Sequence, residues 1–186
     1  MLLDFLLKGE NMFLKYKPTW MVEAIYQITP EHCHSLGIKA ILTDLDNTLI
    51  AWDNPNGTDE LRHWLEGMQA AGIPVMVVSN NSHDRVAAAL NFLDLEFIPR
   101  ALKPFTKGIN QGVERLGLTK EEVIMVGDQL MTDIKASNTA GVRSVLVKPV
   151  VATDSWKTQF NRFMERKIMR YLQSKHPDMI WQGELK

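Results

Sequence analysis

Four short apolar runs rich in β-branched residues, at 38–45, 73–79, 123–127 and 144–147, alternate along this chain with segments of helical spacing. Runs so short and so continuously apolar suit strands buried on both faces, and alternation with helices calls for a parallel sheet covered on each side. The expected fold is therefore α/β, three layers with a parallel central sheet. At 186 residues the chain is long enough for one such domain and too short for two. Between the runs, residues 59–71 place Leu61, Trp64, Leu65 and Met68 on one helical face. Turn signals at Asn54-Pro55-Asn56-Gly57 precede that helix, Thr58 can cap it, and Gly72 ends it. A second helix is expected at 82–93, starting from Ser82 and carrying Val86, Ala89, Leu90 and Leu93. Helices at 106–116 and 131–140 stop at Gly117 and Gly141, and 96–98 adds a short strand.

The first run ends in a way a plain core strand would not. Thr43-Asp44-Leu45-Asp46 sets two carboxylates two positions apart at the end of a buried segment. Unpaired buried carboxylates are strongly destabilising, unless a shared cation or a reaction requires both. Ligands of open parallel sheets sit at the carboxyl ends of the strands, and each remaining polar cluster falls at such a place. Ser79-Asn80-Asn81 follows the second run, Lys103-Pro104 lies in the loop before the third helix, and Gly127-Asp128-Gln129-Leu130-Met131-Thr132-Asp133 follows the 123–127 run. Carboxylates for a divalent cation, a hydroxyl and amides at a helix start, and a lysine are the parts for handling a phosphoryl group. Taken singly, Ser79 and Asn80 read as helix caps, Lys103 as a surface lysine, and Asp128 and Asp133 as turn residues. Asn47, Thr48, Gln129 and Thr132 read as loop supports, and His83 and Arg85 either face the substrate or form a solvated helix start.

Taken in order, Asp-x-Asp-x-Thr at 44–48, Ser-Asn at 79–80, Lys-Pro at 103–104 and Gly-Asp-x-x-x-x-Asp at 127–133 resemble the four motifs of the haloacid dehalogenase (HAD) superfamily. Leu-Asp-Asn-Thr-Leu at 45–49, Val-Ser-Asn-Asn at 78–81, Ala-Leu-Lys-Pro at 101–104 and Gly-Asp-Gln-Leu-Met-Thr-Asp at 127–133 are similar to the subfamily IIIA phosphatases of the YqeG type, relatives of the phosphatidylglycerophosphate phosphatases. Thr158, Asn161, Arg162, Glu165 and Arg166 extend that likeness toward residue 170. The resemblance implies a Rossmann-like core and a Mg²⁺-dependent phosphomonoesterase. On this reading Asp44 attacks phosphorus, and Asp46 acts as acid and then base. Ser79 and the Asn80 amide hold phosphoryl oxygens, and Lys103 neutralises charge. Mg²⁺ is then bound by Asp44, the Asp46 main-chain carbonyl, Asp128 and Asp133. About a dozen residues separate Asp46 from the first helix, and one helix and a short strand separate Ser79 from Lys103, so no cap domain is expected. An open site suits a phosphate carried on something large, such as a lipid headgroup. Trp52, near the entrance, would touch substrate or pack on the rim.

Composition narrows the remaining classes. A formal net charge of −1 argues against a nucleic-acid partner. The single cysteine, Cys33, excludes an internal disulfide, and its neighbours His32 and His34 point in divergent directions, against a metal site. Residues 1–7 are apolar but short and broken by Asp4, so neither a membrane span nor a signal peptide is expected, and Met12 offers a second translation start. The expected organisation is an N-terminal flanking segment at 1–30, a phosphatase core at 31–150 and a basic amphipathic helical tail at 151–186. In the tail, Phe160, Phe163, Met164, Ile168, Tyr171 and Leu172 form a stripe among Lys157, Arg162, Arg166, Lys167, Arg170 and Lys175. Such a helix either meets an anionic membrane or docks on the domain or a second subunit. The expected location is cytoplasmic, peripheral on the inner membrane surface. Phosphatidylglycerophosphate is the first substrate implied. The alternatives are a soluble phosphatase for nucleotide or sugar phosphates, and a phospho-acceptor or partner-binding module with little catalysis.

Overall fold

The alternation becomes a single sheet of six parallel strands in a computed structural model, which describes residues 13–51, 57–151 and 156–186, and side chains except at 156–162. Strands β1 (Trp20–Val22), β2 (Ala40–Thr43), β3 (Val75–Val78), β4 (Phe97–Ile98), β5 (Val123–Gly127) and β6 (Arg143–Val147) lie in the order β1-β6-β5-β2-β3-β4. The helices are α1 (Pro30–Ser35), α2 (Asp59–Ala70), α3 (His83–Leu90), α4 (Lys107–Leu116), α5 (Lys135–Ala140) and α6 (Trp156–Lys175). Trp52, the turn residues 54–56, and Met1 and Met12 lie outside the described residues.

Strand side chains alternate between two buried layers, as the period of two requires. Ile41, Val75, Val77, Ile124, Val126, Val145 and Val147 face one way, packing with Leu61, Trp64 and Met68 of α2 and Val86, Ala89 and Leu90 of α3. Ala40, Leu42, Met76, Val78, Val123 and Met125 face the other, against Ile109 and Val113 of α4 and Ala136 and Ala140 of α5. Because β2 sits between β5 and β3, its carboxyl end opens at the middle of the sheet's upper edge. That placement decides where Asp44 goes. Among the described residues, no added domain occupies the connections on either side of the site.

Several boundaries differ from expectation. The segment placed before residue 31 as a flank contributes β1, which pairs with β6 through Trp20–Val145, Met21–Leu146 and Val22–Val147. The second helix stops at Leu90, three residues early, and Leu93 is held in a turn by the Leu90 carbonyl. The segment expected as a helix from Met131 begins instead as a π-helical turn, Leu130–Ile134, before α5. The tail also joins the body. Ile168 and Leu172 of α6 are buried with Met21, Leu130, Ile134, Leu146 and Met179, and Gln182 donates to the Met21 carbonyl at 2.8 Å. Ile168 and Leu172 of the stripe weighed for a membrane are therefore used inside the fold, while Phe163 remains exposed. Among the described residues, no helix is long and apolar enough to cross a membrane.

Candidate active site

Asp44 leaves β2 where its main-chain N–H still donates to the Val126 carbonyl of β5 at 2.9 Å, so strand pairing sets its position. Leu45 is fully buried and forces the acids on either side of it toward the open edge. Asn47 turns the chain through a left-handed conformation (φ 63°), and its N–H donates to the Ile50 carbonyl at 2.7 Å. The buried side chains of Leu49 and Ile50 then fasten this loop to the core. Thr48, inside it, donates from Oγ1 to Asp128 Oδ1 at 3.2 Å.

Lys103 comes from the far side. Its backbone is clasped by Asn80, whose Nδ2 donates to the Lys103 carbonyl (2.9 Å) and whose Oδ1 accepts from the Lys103 N–H (2.7 Å). The Asn80 side chain is thus engaged, and what Asn80 can offer a phosphoryl group is its main-chain N–H. The Lys103 peptide to Pro104 is cis, and Arg100 and Leu102 both have positive φ (49° and 58°). Lys103 Nζ lies 2.6 Å from Asp44 Oδ1 and 2.8 Å from Asp133 Oδ1, with its side chain only 2% exposed. Ser79, at the end of β3, is buried, and its Oγ accepts from the Asn81 N–H at 3.1 Å.

β5 ends in Gly127, and a side chain there is not tolerable. A Cβ atom would collide with Cβ, Cγ and Oδ2 of Asp133. The glycine lets the π-helical turn fold back until Asp133, 1% exposed, accepts from the Gln129 N–H at 3.1 Å and meets Lys103. Both the Asp133 and Ile134 N–H groups bond the Gln129 carbonyl, the widened turn that aims Asp133 inward. Glu165 of α6 accepts from the Met131 N–H (3.0 Å), tying the tail to the same loop.

Asp44, Asp128 and Asp133 offer carboxylate oxygens that all lie within 4.8 Å of one another. Among the described residues, Lys103 is the ammonium that pairs within this group of three carboxylates. Burial pushes the Asp44 carboxyl up to about 7 against the pull of Lys103, and the charges of Asp133 and Asp128 add to the rise. Burial alone would depress the Lys103 ammonium, but Asp133 and Asp44 outweigh it and hold it above the usual lysine range. The clustered negative charge, carried on hard oxygen donors, fits a divalent cation. Asp46 does not offer its carboxylate to this cluster. Its Oδ1 accepts from Arg85 Nη2 (3.0 Å) and its Oδ2 from Asn81 Nδ2 (2.5 Å).

The four sequence clusters therefore meet at one edge of the sheet. Asn81, part of the Ser-Asn-Asn cluster, and Arg85, which the sequence offers to substrate or to solvent, both meet Asp46, while Thr48, read as support, reaches Asp128. Asn81 directly follows the Ser-Asn pair, which was the available signal; nothing local decides the place of Arg85. Cys33, His32 and His34 do not converge. Cys33 is buried with its thiol pushed up to about 11 by desolvation, His32 Nε2 faces Glu184 at 3.2 Å, and His34 is exposed.

Comparison with known proteins is consistent with this arrangement. A sequence model of the haloacid dehalogenase-like hydrolases matches residues 9–141. The probable phosphatase YqeG of Bacillus subtilis is 42% identical over 160 residues, covering 86% of this chain and 93% of that protein. The phosphatidylglycerophosphate phosphatase 1 of Arabidopsis thaliana, chloroplastic/mitochondrial, is 33% identical over 123 residues, which span 61% of this chain but 35% of that protein. In fold, the chain resembles a thermostable NPPase from Geobacillus stearothermophilus (TM-score 0.51, 18% identity, 66% of this chain and 94% of that one). An uncharacterized protein from Listeria monocytogenes serotype 4b is similarly related (TM-score 0.50, 19% identity, 64% and 84%).

Proposed function

The chain belongs to the haloacid dehalogenase-like hydrolases, and on that premise we propose that it is a Mg²⁺-dependent phosphatase that hydrolyses a phosphomonoester through an aspartyl phosphate on Asp44. The observation that carries this reading is the meeting of Asp44, Asp128 and Asp133 around Lys103 at the carboxyl ends of β2 and β5. An Asp44 oxygen attacks phosphorus, the P–O bond to the alcohol breaks, and Asp46 gives its proton to the leaving oxygen. Asp46 then takes a proton from the water that attacks the aspartyl phosphate, releasing inorganic phosphate and restoring Asp44. Ser79 Oγ and the Asn80 main-chain N–H hold phosphoryl oxygens, and Lys103 balances charge on nucleophile and phosphate together. When bound, Mg²⁺ held by Asp44, Asp128, Asp133 and the Asp46 main-chain carbonyl would keep Asp44 ionised and draw charge from the phosphoryl group.

The substrate we favour is phosphatidylglycerophosphate, the lipid in the name of the Arabidopsis relative. Two features support a substrate with an apolar part. Among the described residues no domain covers the site, and the loop carrying Lys103 exposes Leu102 (54%) and Phe105 (73%) on either side of that buried lysine. Exposed large apolar side chains beside a site suit an acyl-bearing ligand or a lipid surface. The test is phosphate release from phosphatidylglycerophosphate in detergent micelles against glycerol 3-phosphate, glucose 6-phosphate and nucleotides, with Mg²⁺ or with EDTA. Activity should need Mg²⁺ and disappear in Asp44→Asn. Magnesium-dependent turnover by that variant would remove Asp44 from the mechanism, and a preference for sugar or nucleotide phosphates would overturn the lipid assignment.

A further inference from the structure

Asp46 rests with one side-chain donor on each of its carboxylate oxygens. Asn81 Nδ2 occupies its Oδ2 and Arg85 Nη2 its Oδ1. Each oxygen keeps a second lone pair, and release of one donor opens that oxygen fully to a leaving alcohol. Asn81 is fixed within the turn after β3: its N–H bonds Ser79 Oγ, and its carbonyl accepts from the Arg100 N–H at 2.8 Å. Arg85 stands in the first turn of α3 on a long side chain that is 41% exposed, and so exposed an ion pair contributes little to stability. Arg85 is the donor built to move.

From this we infer that Arg85 forms an anion subsite, reading a second anionic group on the leaving alcohol, with Asp46 as its resting partner. The inference rests on the phosphatase reading and names the substrate class within it. Lys103 cannot serve this purpose, because its ammonium is buried between Asp44 and Asp133. Arg85 pairs with the carboxylate that faces the leaving oxygen, so its head lies on the leaving-group side of the reacting phosphorus. A phosphodiester or carboxylate a few bonds from the scissile ester would attract the guanidinium, and the planar fork suits such oxygens. Its departure frees Asp46 Oδ1 for proton transfer. The same exchange therefore binds the correct substrate and readies the acid. In phosphatidylglycerophosphate the leaving glycerol bears such a phosphodiester; in glycerol 3-phosphate it bears none.

The test compares two soluble probes that lack acyl chains, deacylated phosphatidylglycerophosphate and glycerol 3-phosphate, on wild type, Arg85→Ala, Arg85→Gln and Arg85→Lys with Mg²⁺. Wild type should favour the phosphodiester-bearing probe in kcat/KM by about ten- to a hundredfold, the scale of one charge-assisted contact. Arg85→Ala and the near-isosteric Arg85→Gln should bring that ratio close to one, and Arg85→Lys should restore part of it. A ratio that survives in Arg85→Gln, or losses equal on both probes, would overturn the subsite. So would wild type active on both probes without preference, while leaving the phosphatase reading intact. Wild type inactive on every phosphomonoester would instead overturn the phosphatase reading itself.

Discussion

Before a cation binds, the site gathers the carboxylates of Asp44, Asp128 and Asp133 around Lys103, and Asp128→Asn measures what their mutual repulsion costs. Each carboxylate offers an oxygen within 4.8 Å of the other two. At that separation a like-charge pair costs about 3 kcal/mol with an effective dielectric of about 20. Asp128 faces both other carboxylates, and relief of one such pair on removing its charge is worth about 3 kcal/mol gross. Protonation of Asp44, whose carboxyl is pushed up to about 7, already absorbs part of the repulsion. A net stabilisation of about 1–2 kcal/mol is expected, which at this chain length raises Tm by about 2–8 °C. The amide retains an oxygen to accept from Thr48 Oγ1, so the packing is conserved while the charge is lost. Thermal unfolding followed in EDTA and in saturating MgCl₂ reads both consequences. Wild type should gain stability from Mg²⁺; the variant should be more stable than wild type in EDTA and gain little from the ion. A variant less stable than wild type in EDTA, or one with the full Mg²⁺-dependent shift, would refute the charge argument.

Gly127→Ala should drive Asp133 off Lys103, lowering stability by about 1–3 kcal/mol as overpacking does, and cutting kcat/KM by more than tenfold; an alanine variant of full activity would show that the close approach is dispensable. The raised Asp44 carboxyl means the folded chain keeps a proton that the unfolded chain has released between about pH 4 and 7, so stability in EDTA should fall as pH rises through that window. Mg²⁺ should flatten the slope, and a Tm that climbs from pH 5 to 7 in EDTA would count against the buried-carboxylate account. Phe105→Ser, at a side chain 73% exposed, should change stability by less than about 0.5 kcal/mol. It should lower kcat/KM several-fold more on acylated than on deacylated phosphatidylglycerophosphate, and equal effects on the two would detach the apolar rim from substrate binding.

How far the site could be read in advance depended on whether a residue acts directly or through another. Asp44, Lys103, Asp128 and Asp133 were legible because the chemistry dictates their residue types and the parallel sheet dictates that they follow strands. Arg85 was not: a helix's first turn looks the same whether its arginine meets water or reaches Asp46, 39 positions earlier in the chain. Glu165 belongs to the tail residues that carry the family likeness, but its contact was not legible, since the link to the Met131 N–H exists only once α6 has docked. The fold shows a parallel division. β2, β3, β5 and β6 announced themselves as apolar runs, whereas β1 is three residues long and exists through pairing with β6 and the return of Gln182 beside it. The π-helical turn at Leu130–Ile134 was hidden because helical periodicity describes a regular ladder, and the widened turn answers to where Asp133 must point. Asn80 joins the two categories. Its place in the Ser-Asn motif marks it for phosphate, yet its side chain clasps both backbone polar groups of Lys103. An aspartate there could accept from the Lys103 N–H but could not donate to its carbonyl, so the amide is required by the lysine loop independently of any ligand. A motif residue can thus owe its identity to the scaffold of a neighbouring loop, and only its hydrogen-bond partners separate that role from contact with substrate.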